Sequence, residues 1–125
     1  MLFRSTLRKA AYKAANYKCE ICGGDGKAQG YAWPVECHEV WDYNPETGIQ
    51  KLVRLIALCP KCHHVKHWGR TELVGGRQLQ EAFLHLQAVN GWTPDQATDH
   101  IKAAQEQWVE RSRTKWKLDL SGLQL

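Results

Sequence analysis

The chain of 125 residues lacks the glycine and proline content of fibrous or disordered proteins and the long apolar runs of membrane proteins. It contains one methionine, two phenylalanines, four prolines and ten glycines, too few for a collagen-like or disordered chain. The longest apolar run, residues 55–59, is far shorter than the ~20 residues that cross a bilayer. These absences exclude fibrous, disordered and membrane-spanning proteins.

The N-terminal segment lacks the apolar core of a secretory signal. It carries Arg4, Arg8 and Lys9, and no acidic residue precedes Glu20. A basic, acid-free start is also typical of organelle transit peptides, which stays the alternative. We expect an intracellular, cytoplasmic protein with no membrane partner, folded as one domain over residues 1–125.

The charge balance and the tryptophan content favour a polyanionic partner without requiring one. Seventeen Lys and Arg against 13 Asp and Glu give a net charge of +4. The chain also has six tryptophans. Most of them are expected to anchor the core, which leaves one or two free to stack on nucleobases.

Four of the five cysteines form two C-x-x-C pairs, Cys19 with Cys22 and Cys59 with Cys62. Two intervening residues let both thiolates of a pair turn toward one tetrahedral ion. The odd cysteine count and this spacing argue against a disulfide framework, and a redox site would need only one pair. We therefore predict a structural Zn²⁺ with four cysteine ligands and no open position for water.

The hydrophobic periodicity predicts an α+β fold. A helix is expected over residues 5–17, a hairpin of strands 35–43 and 49–58 around a turn at 44–48, and a short helix from Pro60 to about residue 68, ended by Gly69. Two further helices are expected over 77–89 and from the Thr93 cap to about 112, followed by a short tail strand near 116–120. In the last helix, the spacing predicts burial of Ile101, Ala104 and Trp108.

The histidines cluster where a second metal ion could bind. His63 and His67 are four residues apart, so both project from the same face of the short helix. His38 lies on the first strand of the hairpin, between Glu36 and Glu39. The alternative is that these histidines are ordinary surface residues. Their position beside the second cysteine pair favours a divalent metal site.

Taken together, these segments resemble an HNH nuclease of the ββα-metal type. The resemblance rests on VECHEVW at residues 35–41, the hairpin, LIALCPKCH at 55–63 and His67, and it covers about residues 19–69. It implies a small zinc-stapled ββα-metal core, to which the hydrophobic periodicity adds the N-terminal helix and a helical C-terminal extension at about 76–120. It also implies a catalytic divalent ion (Mg²⁺, Mn²⁺, Ni²⁺ or Zn²⁺) beside the structural zinc.

The first strand can be aligned with the family motif in two registers, and both remain open. If Val40 takes the place of the family's isoleucine, His38 becomes a metal ligand and Glu39 occupies the position of the general base. A shift by one residue makes His38 the base and puts Cys37 on the metal side. A cysteine at such a position is more often a small buried residue than a ligand.

The remaining assignments follow from the same resemblance. His63 matches the last histidine of the motif, and His67 matches an additional ligand position. Arg54 takes the place of the family's central Asn or Asp; its guanidinium could clamp a phosphate oxygen or be a solvated charge on the strand. The predicted function is a metal-dependent endonuclease that hydrolyses DNA phosphodiester bonds; the alternative is a zinc-stabilised nucleic-acid-binding module without cleavage. Contacts with DNA, largely independent of its sequence, are expected from Lys61, His64, Lys66 and Arg70.

Overall fold

The computed structural model describes residues 2–122, with side chains from residue 5 onward. It is a mixed α+β fold with a three-stranded sheet. The elements in chain order are α1 (Leu2–Ala14), β1 (Glu36–Asn44), β2 (Ile49–Leu58), α2 (Pro60–Lys66), α3 (Trp68–Val74), α4 (Gly76–Asn90), α5 (Pro94–Ser112) and β3 (Lys117–Asp119). No helix within this range is long and apolar enough to cross a membrane.

The predicted hairpin is confirmed. Strands β1 and β2 pair antiparallel, and the side chain of Asn44 closes the turn by accepting hydrogen bonds from the amides of Glu46 and Thr47. Gly48 ends the turn with a φ of +71°, a conformation that glycine adopts without strain. The short tail strand is confirmed as β3, which runs parallel to β2 at the edge of the sheet.

The two faces of the hairpin have different neighbours. Glu36 and His38 of β1 pair with Leu58 and Ile56 of β2, and both of these residues belong to the buried cluster around the cysteines. Because side chains alternate between the faces of a strand, Ala57 points the other way. It is fully buried, and α1 packs against the hairpin. The hairpin is thus covered by α1 and by the cysteine cluster with α2.

The short helix after the hairpin ends earlier than its sequence predicts. It stops at Lys66, and a separate helix, α3, begins at Trp68 and runs through Gly69, where we expected a stop. The break between α3 and α4 falls instead at Gly75 and Gly76, which have φ angles of +65° and +56°. Helix α4 then packs back onto α2.

For α5, the predicted start of the helix is confirmed, but the prediction of which residues it buries is wrong. Thr93 and Gln96 form the expected capping box, with each side chain bonded to the other's backbone amide. Ile101 is half-buried, but Ala104 and Trp108 are exposed, and Trp108 retains 71% of its accessible surface. Within the described residues, the one fully buried residue of this helix is Ala97, near its start. The apolar spacing identifies one side of the helix, but only its first turns are covered.

Candidate metal centres

The two C-x-x-C segments adopt the same local geometry. The amide of Cys22 points at the sulfur of Cys19 at 3.5 Å, and the amide of Cys62 points at the sulfur of Cys59 at 3.4 Å. Cys59 is also the N-cap of α2, so its sulfur replaces the usual oxygen cap. The amide of Gly24 adds a further bond to Cys22 at 3.3 Å. These N–H donors are arranged to stabilise negative charge on sulfur.

The four sulfurs fit one tetrahedral zinc ion. All lie within 4.8 Å of one another, and the sulfurs of Cys22 and Cys59 are 3.6 Å apart. A tetrahedral ion with Zn–S bonds of about 2.3 Å places its sulfurs ~3.8 Å apart. Cys19, Cys59 and Cys62 are buried, as a closed structural site requires. The fold therefore brings the four predicted zinc ligands together in an arrangement consistent with structural zinc.

Without a cation, the four thiols compete for protons. Hydrogen bonds from Cys59 and Cys62 lower the pKa of Cys19, while the bond to Cys19 raises the pKa of Cys62. Burial raises the pKa of Cys22 to about 11. Only part of the set can therefore ionise unaided. A bound divalent cation reverses this, because it deprotonates coordinating thiols.

The three predicted histidine ligands also converge. One nitrogen each from His38 on β1, from His63 on α2 and from His67, the C-cap of α2, lie within 4.8 Å of one another. The ring centroids are 5.3 Å apart for His38 and His63, 5.1 Å for His38 and His67, and 4.7 Å for the helix pair. Three imidazoles facing one point are a ligand set for a divalent ion that leaves coordination positions open.

Glu36 orients one of these rings. Its Oε1 accepts a hydrogen bond of 2.9 Å from Nδ1 of His63, and its Oε2 accepts one of 2.9 Å from the indole of Trp33. The bond from His63 holds the pKa of Glu36 below its usual value, so the carboxylate is charged and acts only as an acceptor. Nδ1 of His63 must therefore carry the proton, which leaves Nε2 free to bind a metal. Metal-binding histidines commonly have such a carboxylate partner.

The environment favours the neutral form of two triad members, His38 and His67. Burial, followed by the neighbouring His63 and His67, lowers the pKa of His38 to about 4. Burial and His63 also lower the pKa of His67, with a further contribution from the positive charge of Arg70. Neutral imidazoles are the form that binds metal. The positive charges of Lys66 and Arg70 thus lie close enough to influence His38 and His67 respectively.

The structure does not bring Glu39 or Cys37 into the histidine triad. Both neighbour His38 in sequence, so the alternation of side chains along β1 places them on the opposite face of the strand. Glu39 is exposed, and Cys37 is half-buried, with its thiol pKa raised by burial. The geometry therefore groups His38 with the metal ligands and gives Cys37 no metal partner among the described residues.

Arg54 is bound to another partner. It lies on β2 opposite Val40 and forms an ion pair with the carboxylate of Glu20. The second oxygen of Glu20 accepts a hydrogen bond of 2.7 Å from the amide of Ala57. Glu20, between the first two cysteines, thereby ties that cysteine turn to β2. Arg54 has a structural contact that its position in the motif did not predict.

The other predicted DNA contacts lie around α2. Lys61 is in the first turn of the helix, where its amide contacts Gln29 at 3.3 Å. His64 is half-buried and is not part of the triad, and its ring lies 6.1 Å from that of Tyr31. Lys66 and Arg70 are exposed near the end of α2 and in α3.

One residue at the cysteine site was missed by the sequence analysis. His85 of α4 places its Nε2 3.1 Å from the sulfur of Cys62 and 3.9 Å from that of Cys59. Its position in the middle of an amphipathic helix, 23 residues from Cys62, gave no signal of this contact.

Comparisons of the chain with family models, curated proteins and solved structures give no match. The class that its own geometry defines is a mixed α+β fold in which a hairpin and the following helix carry two adjacent clusters of possible metal ligands.

Proposed function

We propose that the protein is a metal-dependent endonuclease of the HNH type that hydrolyses DNA phosphodiester bonds. The single observation that carries this proposal is the convergence of His38, His63 and His67 where β1 meets α2. The order of hairpin, cysteine turn and helix, noted as a family resemblance in the sequence, is the arrangement that brings them together.

Each residue of the proposed site has a distinct task. The three histidines hold the divalent ion, Glu36 fixes the tautomer of His63, and the cysteine site holds the start of α2 in place. A bound divalent ion supplies stabilisation of the negative charge that develops on a phosphate under attack. Lys66 and Arg70 supply positive charge where the phosphate backbone would approach.

Two residues of β1, Glu39 and His38, are the candidates for the general base. The register that makes His38 a ligand is supported by its contact with the other two histidines, and it assigns the base to Glu39. The exposed carboxylate of Glu39 lies on the other face of β1. On the triad face, the carboxylate of Glu36 is already bonded to His63 and Trp33, so a base acting from β1 on that side would be His38. Glu39→Gln separates the two: a large loss of turnover with metal binding retained makes Glu39 the base, and little loss gives that role to His38.

The test is a plasmid-nicking assay with zinc-loaded protein and added Mg²⁺, Mn²⁺, Ni²⁺ or Zn²⁺. His38→Ala and His63→Ala should each abolish nicking while leaving one zinc per chain, since the cysteine site uses neither residue. His100→Ala is the matched control, because His100 is exposed on α5 and contacts Trp92 instead of the triad. Wild-type protein that cuts DNA with none of the four metals would refute the nuclease.

A second candidate is a zinc-stabilised nucleic-acid-binding module without cleavage. It is favoured by the cysteine cluster, which needs no catalytic role, and by the engagement of Glu36, the other titratable side chain on the triad face at this end of β1, with His63 and Trp33. DNA binding that weakens steeply with salt, without nicking in any metal, would select this alternative.

A further inference from the structure

A loop beside the histidine triad presents two aromatic side chains at the protein surface. Trp33 is 47% exposed and Tyr31 is half-buried, with their ring centroids 6.1 Å apart. The Tyr31 ring is also 6.1 Å from the ring of His64 on α2. A single exposed indole is unremarkable on a protein surface, but two neighbouring aromatic rings next to a site proposed to receive a phosphate need an explanation.

The loop that carries these rings is closed by Gly26. The amide of Gly26 donates to the carbonyl of Pro34 at 2.7 Å, and its carbonyl accepts from the amide of Tyr31 at 2.8 Å. Gly26 is buried, and a Cβ atom there would lie 2.3 Å from the carbonyl oxygen of Trp33. The closed form therefore requires glycine at this position. An aromatic pair held in advance of binding loses little conformational freedom when a ligand arrives.

The loop is also tied to the helix that carries the triad. The indole of Trp33 donates to Glu36, and the same carboxylate accepts from His63, so one side chain separates the indole from a predicted metal ligand. On the other side of the loop, the carboxamide of Gln29 accepts from the amide of Lys61 in α2. The position of Trp33 relative to the triad is thus set by two polar contacts.

From this arrangement we propose that Trp33 and Tyr31 form a stacking subsite for an unpaired nucleobase beside the histidine triad. The inference rests on the proposed function in one respect: the phosphate at the triad and the base on Trp33 belong to the same strand. Aromatic side chains stack on any base, but only on one that has left the double helix. The substrate class is therefore single-stranded or locally unpaired DNA.

The experiment uses zinc-loaded full-length protein with no second metal added, so that binding is measured without cleavage. The probe is a 12-nucleotide single strand with 2-aminopurine near its centre, compared with the same strand in a full duplex. Stacking on the indole should quench the 2-aminopurine fluorescence of the single strand. Trp33→Ala should remove the quenching and weaken single-strand binding about 5- to 150-fold, because stacking contributes about 1–3 kcal/mol per base. Its affinity for the duplex should stay unchanged.

Three further variants separate stacking from structural effects. Trp33→Phe keeps an aromatic face and loses the indole N–H to Glu36, so it should retain most of the single-strand affinity. Gly26→Ala should weaken that affinity without altering any aromatic side chain. Trp108→Ala removes a 71% exposed indole on α5 and should have no effect.

Several results would overturn the subsite. The first is a wild-type protein that does not quench the 2-aminopurine fluorescence, a result that requires no variant to fold. The second is a Trp33→Ala protein that binds the single strand as tightly as the wild type. The third is a Trp33→Phe protein that binds the single strand as weakly as Trp33→Ala. The last result would mean that Trp33 acts only through Glu36. Failure of the nuclease is a separate outcome: protein that cuts neither plasmid nor single-stranded DNA with any of the four metals, but loses single-strand binding on Trp33→Ala, has the subsite without the cleavage.

Discussion

Replacing Glu36 should weaken metal binding at the histidine triad while leaving the fold intact. Its carboxylate accepts 2.9 Å hydrogen bonds from His63 and from Trp33, and about a quarter of the side chain is solvent-exposed. Glu36→Ala removes the group that holds His63 in its metal-binding tautomer. Loss of such a partner typically lowers metal affinity about 10- to 100-fold, or about 1.4–2.7 kcal/mol.

Glu36→Gln gives a graded test of the same reasoning. The amide oxygen of glutamine can still accept from His63, but its NH₂ group cannot accept from the indole of Trp33. Because one of the two bonds survives and the negative charge is lost, we expect an affinity between those of the wild type and Glu36→Ala. If only the size of the side chain at position 36 mattered, Glu36→Gln would bind the metal as tightly as the wild type.

The assay is a titration of zinc-loaded protein with Co²⁺ or Ni²⁺, followed by absorption or calorimetry. Glu39→Gln is the matched control, since it is three residues along the same strand, exposed, and on the opposite face. Equal metal affinities for Glu36→Ala and the wild type would refute the proposed orientation of His63. So would a loss of affinity in Glu39→Gln as large as that in Glu36→Ala.

Three other perturbations have defined outcomes. Cys59→Ser should lose the zinc and the cooperative thermal transition, because zinc binding contributes folding free energy directly; one retained zinc with a native melting temperature would contradict this. His85→Ala should release zinc to a chelator about tenfold faster or more, since a hydrogen bond to a charged sulfur contributes about 1.5–3 kcal/mol; an unchanged release rate would remove the role of His85. Lys66→Ala should lower the salt dependence of duplex DNA binding by about one unit of logarithmic slope, measured by anisotropy at several salt concentrations, and an identical slope would show that Lys66 contacts no phosphate.

Local patterns predicted those parts of the structure whose geometry is determined by a few neighbouring residues. The C-x-x-C spacing, the turn from Asn44 to Gly48 and the capping box at Thr93 each depend on residues within five positions of one another. The pairing of His63 with His67 follows from helical periodicity in the same way. These predictions are confirmed because the geometry of each feature is determined by residues that are close in sequence.

Other features depend on contacts that local patterns do not contain. The bond from His63 to Glu36 spans 27 residues, and that from His85 to Cys62 spans 23. Whether the apolar side of α5 is covered depends on the rest of the chain, and so Trp108 was assigned wrongly to the core. Helix α3 was missed because its N-cap residue, His67, makes no side-chain capping bond.

The nine residues from Cys59 to His67 contribute donors to both clusters. Two thiols at the beginning of this segment face one prospective ion, and two imidazoles further along face the other. Zinc binding at the cysteines is therefore expected to precede binding at the histidines, because Cys59 caps α2 and so anchors the segment that carries His63 and His67. Zinc supply would then govern the availability of the second site, even for an ion that the thiolates themselves never bind.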